Sequence, residues 1–474
     1  MNFKAVFFIT VAASLAACQP PSSQDAAKAR NVILFVGDGM GVATVTAARI
    51  FDGQSKGLAG EEHVLPFETF PHVALVKTYN TNQQVPDSAG TITAMLTGTK
   101  TRAGVINVGP DALRGSCEGQ FAHPLTPITA IARERGKAVG AVTTTRLTHA
   151  TPAGIYARTA ERDWEDDADI DPGDWDRGCR DVASQLLDEA NALQVAMGGG
   201  SRHFFGADGR GERKDAGADL VRDWLAGAAD RTYVTSADQL GALQPGQQVL
   251  GLFASGHMTY MAERVPDSTE PTLTQMATTA VRLLEADNDG YFLLVEGGRI
   301  DHAHHDGKPG WAMLETQEFA NAVAAVLEMV DLEETLVMVT ADHSHVFTLG
   351  GYATRGNPIL GVVVKNDERG LSRESPDIAL DGQPYTTLAY ANGPGAVLEM
   401  PRPAPETGID AVAQSLVPVF YANDDGTIDR DETHGGEDVA LYAIGPGSDG
   451  VRGVIEQNRI YDIMTEALGL AAKP

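Results

Sequence analysis

The chain has 474 residues, of which 43% are hydrophobic, so it is long enough for one large α/β domain with insertions or for two to three domains. Acidic residues number 64 against 36 basic residues, which gives a formal net charge of -28. This charge argues against non-specific binding to nucleic-acid backbones. It indicates solubility or a salty habitat, or, as the alternative, a density of carboxylates that bind cations.

The N-terminus has the pattern of an export signal. Lys4 precedes a short apolar stretch over residues 5–17, and Cys18 ends the motif LAAC. The pattern predicts a signal peptide over residues 1–18, too short for a stable membrane span. LAAC resembles a bacterial lipobox, in which the cysteine is lipidated; an ordinary signal peptide is the alternative. We therefore expect an exported protein of a bacterium, either periplasmic or anchored to a membrane through Cys18.

Two further cysteines remain once Cys18 is set aside, namely Cys117 and Cys179. In an exported protein two remaining cysteines most simply form one disulfide. We therefore expect them to be oxidised.

The strand and helix patterns begin after a polar segment. Residues 19–30 are rich in Pro, Ser and Ala, which is typical of a tether, so the folded domain is expected over residues 31–474. An apolar strand pattern over residues 32–36 leads into a helix pattern near Val42. The same succession of an apolar strand and a helix recurs along the chain. Amphipathic helices are predicted, for example, at 271–286 and 311–330. The alternation predicts an α/β fold with a mostly parallel central sheet covered by helices on both faces.

Between His345 and His434 this alternation weakens into sequence rich in Gly, Pro and Asp. Such a segment lacks the regular strand and helix periods of the rest of the chain. We interpret residues 346–433 as an insertion on the sheet and not as an independent domain.

Polar clusters follow several of the predicted strands. Asp38 follows the first strand, and Asp342 with His343 follows a later one. Asp301 and His305 are four residues apart, so they share one face if a helix begins there. Ligands of open sheets bind beyond the carboxyl ends of the strands. Mixed carboxylate and imidazole ligands suit zinc, whereas a site richer in oxygen ligands suits magnesium.

Ser88 stands in the motif DSAGT, directly before a predicted helix. Serine at this place most commonly caps the helix. It can also be a nucleophile, because a helix N-terminus stabilises an alkoxide and an incoming anion such as phosphate. The motif alone leaves both interpretations open.

Taken together, the motifs resemble the alkaline phosphatase family. In family order, and with spacing close to the animal enzymes, the chain contains NVILFVGDGMG, DSAGT, TTTRLTHATPAG, LFASGHMTY, VEGGRIDHAHH, TADHSH and HGGEDVALYA. The resemblance covers nearly all of the chain from about residue 30. It implies an alkaline-phosphatase-like fold in which residues 346–433 form a crown-like insertion. It also implies hydrolysis of small phosphate monoesters and a homodimer with the insertion near the interface.

The resemblance also implies roles for individual residues. Ser88 would be the nucleophile that is transiently phosphorylated, and Arg162 would grip the phosphate oxygens. The implied metals are two zinc ions and one magnesium ion, with the ligands Asp301, His305 and His434 for one zinc, Asp38, Asp342 and His343 for the other, and Asp38, Thr151 and Glu296 for magnesium. His149 and His302 would lie behind these ligands. The pair Cys117 and Cys179 matches a disulfide of the animal enzymes.

Some positions receive no role or depart from the family. Ala254 replaces a glutamate that begins a calcium site in animal members, so we expect no fourth metal there. The remaining histidines are expected to be ordinary surface or supporting residues: His123, His203, His257 and His345.

The alternatives to a phosphomonoesterase are a phosphodiesterase or sulfatase of the same superfold and a non-catalytic phosphate-binding lipoprotein. Sulfatases need a C/S-x-P-x-R motif that DSAGT lacks, and diesterases usually carry Thr and no match to Arg162. Because every ligand position is filled, the resemblance favours an active enzyme over the non-catalytic alternative.

Overall fold

The structure, a computed structural model, describes residues 28–188, 192–398, 400–419, 421–422 and 428–470. The predicted signal peptide, Cys18 and most of the predicted tether lie outside these residues. Ala29 is buried, and its N–H donates to the carbonyl of Ala467, so the chain joins the core inside the segment predicted as a tether. Within the described ranges, no helix combines the length and the apolar character that a membrane span requires.

The described residues form strands and helices in alternation over most of the chain. The strands are β1 (Asn31–Gly37), β2 (His72–Lys77), β3 (Ala138–Arg146), β4 (Val195–Gly199), β5 (Arg231–Val234), β6 (Gln248–Leu252), β7 (Tyr291–Gly297), β8 (Thr335–Ala341), β9 (Ser344–His345), β10 (Phe347–Leu349), β11 (Leu388–Asn392), β12 (Ser415–Val417), β13 (Tyr421–Ala422), β14 (Ile428–Asp429), β15 (His434–Gly435), β16 (Val439–Ile444) and β17 (Gly453–Glu456). The α-helices are α1 (Val42–Ser55), α2 (Ser88–Thr97), α3 (Cys117–Ala122), α4 (Ile128–Glu134), α5 (Ala150–Ala153), α6 (Pro172–Asp176), α7 (Val182–Leu186), α8 (Leu220–Gly227), α9 (Ala237–Leu240), α10 (Leu273–Leu284), α11 (Arg299–His305), α12 (Pro309–Leu327) and α13 (Arg459–Ala467).

A ten-stranded sheet with the order β17-β2-β16-β8-β1-β7-β3-β4-β6-β5 forms the centre of the fold. Its strands pair in parallel except at β16, which is antiparallel to both of its neighbours. Two groups of helices pack on it, one with α1, α10 and α12 and the other with α2, α4, α5 and α13. The predicted α/β class with a mostly parallel sheet is confirmed, and α10 and α12 lie where the sequence predicts long helices.

The central strands β1, β7 and β8 are buried along their whole length. Their continuous apolar runs fit strands that helices cover on both sides. In the register, Val36 of β1 pairs with Glu296 of β7, and Gly37 pairs with Ala341 of β8. The carboxyl ends of the three strands are therefore level, and Asp38, Glu296 and Asp342 all lie at one edge of the sheet.

The described residues of the segment 346–433 add no strand to the central sheet; they form a three-stranded sheet, β10-β11-β12, and the pair β13-β14. Its Leu388 and Tyr390 belong to the main apolar core. At the neck of the segment, where its two ends meet, β15 pairs with β9, and His434 lies opposite His345. This pairing returns the chain to the edge where the strand-end carboxylates lie, and it brings His434 there.

A second, small apolar core surrounds the disulfide. Cys117 and Cys179 are bonded, with a Cα–Cα distance of 5.8 Å and a sequence separation of 62 residues. With Trp164 and Ile170 they form a cluster separate from the main core. The cluster holds the loop on which Arg162 lies, two residues before Trp164.

Replacing both Cys117 and Cys179 by Ser is expected to lower the free energy of unfolding by about 2–4 kcal/mol, because a cross-link over a loop of this length restricts the unfolded chain. Urea denaturation of the oxidised, the reduced and the substituted protein measures this loss, and the reduced wild type should match the variant. Mass mapping without reductant that found both thiols free in protein from its native compartment would contradict the disulfide.

Candidate metal centre

The loop after β1 places Asp38 at the strand end. Gly39 has φ +65°, and its N–H donates to Asp342 Oδ1 over 3.0 Å. A side chain on Gly39 would collide with the imidazole of His345 and crowd the backbone of Asp301. Glycine is therefore required here both for its left-handed conformation and for the close approach of two neighbouring segments.

Ser88 is the first residue of α2, and Asp87 is the N-cap. Asp87 Oδ1 accepts from the N–H of Gly90 over 3.0 Å, and Oδ2 accepts from the N–H of Gly104 over 2.8 Å. The interpretation of Ser88 as a capping residue is therefore wrong. Its hydroxyl lies 3.3 Å from His343 Nε2, at the positive end of the helix dipole.

The first group of candidate metal ligands contains Asp301, His305 and His434. Asp301 Oδ1 lies 3.4 Å from His305 Nε2 and 3.5 Å from His434 Nε2, and the two Nε2 atoms are 3.1 Å apart. A tetrahedral zinc ion with bonds of 2.0–2.1 Å separates its ligands by about 3.4 Å. The three atoms therefore have the spacing of one face of such a tetrahedron.

Both imidazoles of this group present the nitrogen that a metal needs. His305 Nδ1–H donates to the carbonyl of Glu432 over 2.6 Å, and His434 Nδ1–H donates to the carbonyl of Pro86 over 2.8 Å. These bonds use the Nδ1 proton of each ring, so each facing Nε2 can give its lone pair to a bound metal. Two facing lone pairs repel each other unless a cation lies between them.

The second group contains Asp38, Asp342, His343 and Ser88. His343 Nε2 lies 3.3 Å from Asp38 Oδ1, 3.4 Å from Asp342 Oδ2 and 3.3 Å from Ser88 Oγ. His343 Nδ1–H points to the carbonyl of Ser344 at 3.3 Å, so Nε2 again presents its lone pair. The spacing matches a second tetrahedral site that includes the serine hydroxyl.

A third group consists of buried polar atoms that lack a hydrogen-bond partner among the described residues. They are both carboxylate oxygens of Asp38, Oε1 of Glu296, Oγ1 of Thr151 and Nδ1 of His149. The other oxygen of Glu296 accepts from Thr143 and Thr145 on β3. Buried polar groups are rarely left unpaired, so this oxygen-rich set fits a hard cation.

The structure thus brings the sequence-predicted ligands together in three adjoining groups, and it adds a residue that the sequence left without a role. His345 is buried, with Nε2 2.8 Å from Asp301 Oδ1 and Nδ1 2.5 Å from Glu432 Oε2. Although burial opposes protonation, Glu432 and Asp301 raise the pKa of His345 to about 10. His345 is therefore an imidazolium that holds Asp301 in place.

Arg162 contacts Asp87, the residue before Ser88, and is held from two sides. Its Nη1 is 3.3 Å from Asp87 Oδ2, and its Nη2 donates to His149 Nε2 over 3.0 Å. The ring of His302 lies 5.5 Å from that of His149 and 4.2 Å from that of His257. Two of the histidines without a role lie elsewhere: His203 is buried and bonds Asp166, and His123 is the C-cap of α3.

Four carboxylates are buried in this cluster: Asp38, Glu296, Asp301 and Asp342. Burial, together with repulsion from the other three, raises the pKa of Asp38 well above its usual value, and burial raises that of Glu296 to about 7. Burial also opposes ionisation of Asp301, yet His305 and the other imidazoles hold its pKa well below the usual value. Metal cations provide the positive charge that keeps such a set ionised.

Buried carboxylates and imidazoles converge here with a serine and an arginine, at the carboxyl ends of parallel strands. This combination defines a metal-dependent hydrolase. Residues 29–470 match the alkaline phosphatase family, so the chain belongs to that family, as the sequence motifs predict. It is an enzyme that hydrolyses phosphate monoesters.

Similar proteins cover nearly the whole chain. Tissue-nonspecific alkaline phosphatase of Gallus gallus is 42% identical over 93% of this chain and 84% of its own length. The alkaline phosphatase of Gadus morhua is 40% identical over 93% of this chain and 92% of its own. The structure of Thermus thermophilus alkaline phosphatase superimposes with a TM-score of 0.66 at 25% identity, over 96% of this chain and 97% of that one. The enzyme of the Antarctic bacterium TAB5 shares the fold, with a TM-score of 0.63 at 22% identity, over 94% and 100% of the two chains.

Proposed function

We propose that the enzyme acts through a phosphoserine at Ser88, in a centre that holds two zinc ions and one magnesium ion. The observation that carries the proposal is the position of Ser88 Oγ, at the N-terminus of α2 and 3.3 Å from His343 Nε2. A serine hydroxyl is a weak nucleophile at its ordinary pKa and needs activation. No imidazole outside the ligand groups contacts Ser88 among the described hydrogen bonds, which favours activation by a metal over a separate general base.

The ligand sets follow from the three groups of side chains. We assign Asp301, His305 and His434 to one zinc ion and Asp38, Asp342, His343 and Ser88 to the other, because their atoms have tetrahedral spacing. We assign Asp38, Thr151 and Glu296 to magnesium, because these are the unpaired oxygen atoms. When bound, the ions neutralise negative charge on the phosphoryl oxygens and lower the pKa of a coordinated hydroxyl or water.

The protein's own side chains position the phosphate for in-line transfer. Arg162 offers two parallel N–H donors to its oxygens, a contact that only a planar guanidinium makes. Asp87 aims this guanidinium and also caps α2, so the arginine and Ser88 are fixed by one carboxylate. Ser88 Oγ bonds to phosphorus as the bond to the alcohol breaks, and water then displaces Ser88 to release inorganic phosphate.

Ser88→Ala is expected to lower the turnover of a chromogenic phosphate monoester by at least ~10³-fold, because the acceptor of the phosphoryl group is removed. Exhaustive chelation should abolish activity, and zinc with magnesium should restore it. Ser268→Ala, a serine in an outer loop, is the matched control. Wild-type turnover in Ser88→Ala, activity that survives chelation, or faster cleavage of a diester than of a monoester would contradict the proposed mechanism.

His149→Asp is expected to tighten magnesium binding by about tenfold, because a carboxylate adds negative charge and an acceptor beside the unpaired oxygens. The wild type, with a neutral imidazole there, should gain activity on addition of magnesium after magnesium-free dialysis. Equilibrium dialysis of both proteins measures the affinity, and His123→Asp adds the same charge outside the ligand groups. Equal magnesium affinity in His149→Asp and the wild type would refute this role.

We also propose that Cys18 is lipidated and anchors the exported enzyme to a bacterial membrane, which the LAAC motif and the polar segment after it support. Metabolic labelling with a fatty acid is expected to mark the full-length protein and not the Cys18→Ala variant. Label that survives the substitution, or no label in the wild type, would exclude the lipid anchor.

We further propose a homodimer in which residues 346–433 contact the second copy. This segment exposes several large apolar side chains, including Tyr352 at 82% and Leu416 at 81%, which supports an apolar contact with a second copy. Sedimentation is expected to give twice the mass of the mature chain, and Leu416→Glu should shift the protein towards monomer. Leu58→Glu, exposed outside the segment, should not. A wild type that is monomeric at all concentrations would refute the dimer.

A further inference from the structure

Asp342 and His343, two of the residues assigned to one zinc ion, are consecutive and lie just beyond the end of β8. The strand pairing of β8 ends at Ala341 on the β1 side and at Thr340 on the β16 side. The peptide group that joins the two ligands is therefore outside the sheet, and strand pairing does not fix its orientation. The hydrogen-bond partners of this peptide group determine how the two ligand side chains stand relative to each other.

Both polar atoms of this peptide group have a partner. The N–H of His343 donates to Asp342 Oδ1 over 2.9 Å, and the carbonyl of Asp342 accepts from Gln457 Nε2 over 2.8 Å. Because a peptide group is planar, these two bonds together fix its plane. A carbonyl oxygen can only accept, so it must face the amide nitrogen of Gln457, and the orientation of this side chain is unambiguous.

Gln457 reaches Asp342 from the loop between β17 and α13, 115 residues further along the chain, and its side chain is fully buried. Its backbone N–H donates to the carbonyl of Lys77 at the end of β2, and its own carbonyl accepts from Ile460 in the first turn of α13. The donor is therefore held from two sides, by the edge of the central sheet and by a helix.

The other polar atom of the Gln457 side chain shows that this amide is unfavourable for packing alone. Its Oε1 is buried and has no hydrogen-bond partner among the described residues. Burying an amide with one atom unpaired costs free energy, and an apolar side chain of similar length would avoid this loss. An apolar side chain cannot, however, supply the donor to Asp342. The half-satisfied amide thus stands where its N–H group contacts the peptide between two candidate metal ligands.

We infer that Gln457 is a positioning residue for the zinc ion that binds beside Ser88: by donating to the carbonyl of Asp342, it holds the peptide between the two ligands so that both side chains bind one ion. The inference rests on the proposed assignment of that zinc ion. Without the donor, the peptide plane can turn about the single bonds on either side of it, and the two ligand atoms lose their common focus. Residues that orient metal ligands in this way account for about 10- to 100-fold in metal affinity.

The first test measures the two zinc positions separately. Apoprotein is titrated with ¹¹³Cd in the presence of a competing chelator, and His343→Ala and His434→Ala identify the resonance of each position by its loss. In Gln457→Met, the resonance that His343→Ala removes is expected to need about 10- to 100-fold more free cadmium, because an apolar chain of similar length replaces the donor. The other resonance should appear as in the wild type. An unchanged titration at both positions would overturn the inference.

Asn458→Leu is the matched control. Asn458 is the next residue, and it also donates its side-chain amide to a backbone carbonyl, that of Gly98, over 3.0 Å. That carbonyl follows the C-terminal end of α2, whereas Ser88 lies at the other end. The control loses the same kind of hydrogen bond, and both of its cadmium positions should fill as in the wild type. Selective loss in Asn458→Leu, or equal weakening of both positions in Gln457→Met, would show a general loss of packing and overturn the positioning role.

The second test asks whether zinc restores what Gln457 provides. Turnover of a phosphate monoester by Gln457→Met should be low at a free zinc concentration that saturates the wild type, and it should recover when that concentration is raised about 100-fold. Turnover that matches the wild type at the lower concentration would contradict the inference. If Gln457→Met does not fold, Gln457→Asn takes its place; it keeps the amide but shortens its reach by one methylene group, and it should show the same selective loss.

The cadmium titration also separates this inference from the proposed mechanism, because it reports on the metal positions without turnover. If Ser88→Ala kept full turnover while Gln457→Met still showed the selective loss, the phosphoserine mechanism alone would fail. If Ser88→Ala was inactive while neither cadmium position responded to Gln457→Met, the positioning role of Gln457 alone would fail.

Discussion

The structure depends on one electrostatic constraint, the burial of four carboxylates at a single edge of the central sheet. Asp38, Glu296 and Asp342 lie there because β1, β7 and β8 are adjacent and in register, and Asp301 follows on α11. Like charges out of water are strongly unfavourable unless cations or protons offset them. Imidazoles alone offset only Asp301; the pKa of Asp38 remains well above its usual value. The fold therefore builds a centre that is complete only with metal cations.

The segment over residues 346–433 is part of this centre as well as an addition to the fold. Its two ends meet at the pairing of β9 with β15, so His345 and His434 lie opposite each other. Glu432, its penultimate residue, is fully buried and binds His345, which in turn binds Asp301. A change that shifts the neck of the segment moves one candidate ligand, His434, and the support of another. The position of the insertion therefore determines the position of part of the metal centre.

The sequence predicts what depends on local pattern. The apolar runs locate the central strands, and the residues that follow them, such as Asp38 and Asp342, are where ligands of parallel sheets collect. The features that sequence analysis does not predict are those that depend on contacts between segments far apart in the chain. The motif around Ser88 leaves a helix cap and a nucleophile both open, because Ser is a good N-cap; the distant contacts show that Asp87 caps the helix and reaches Gly90, Gly104 and Arg162. His345 had one weak signal, its place two residues after His343, and Glu432 is 87 residues further along the chain.

Two guanidinium–imidazole pairs border the ligand groups, and they use opposite ring nitrogens. Arg299 faces Nδ1 of His302, whereas Arg162 donates to Nε2 of His149. Because a guanidinium carries only N–H donors, His149 carries its proton on Nδ1, a buried atom with no hydrogen-bond partner among the described residues. Protonated there, His149 cannot give that nitrogen to a metal, although it lies beside Asp38 and Glu296. His149 Nδ1–H is thus a buried donor without an acceptor among the described residues, and Arg162 determines this by donating to the other ring nitrogen.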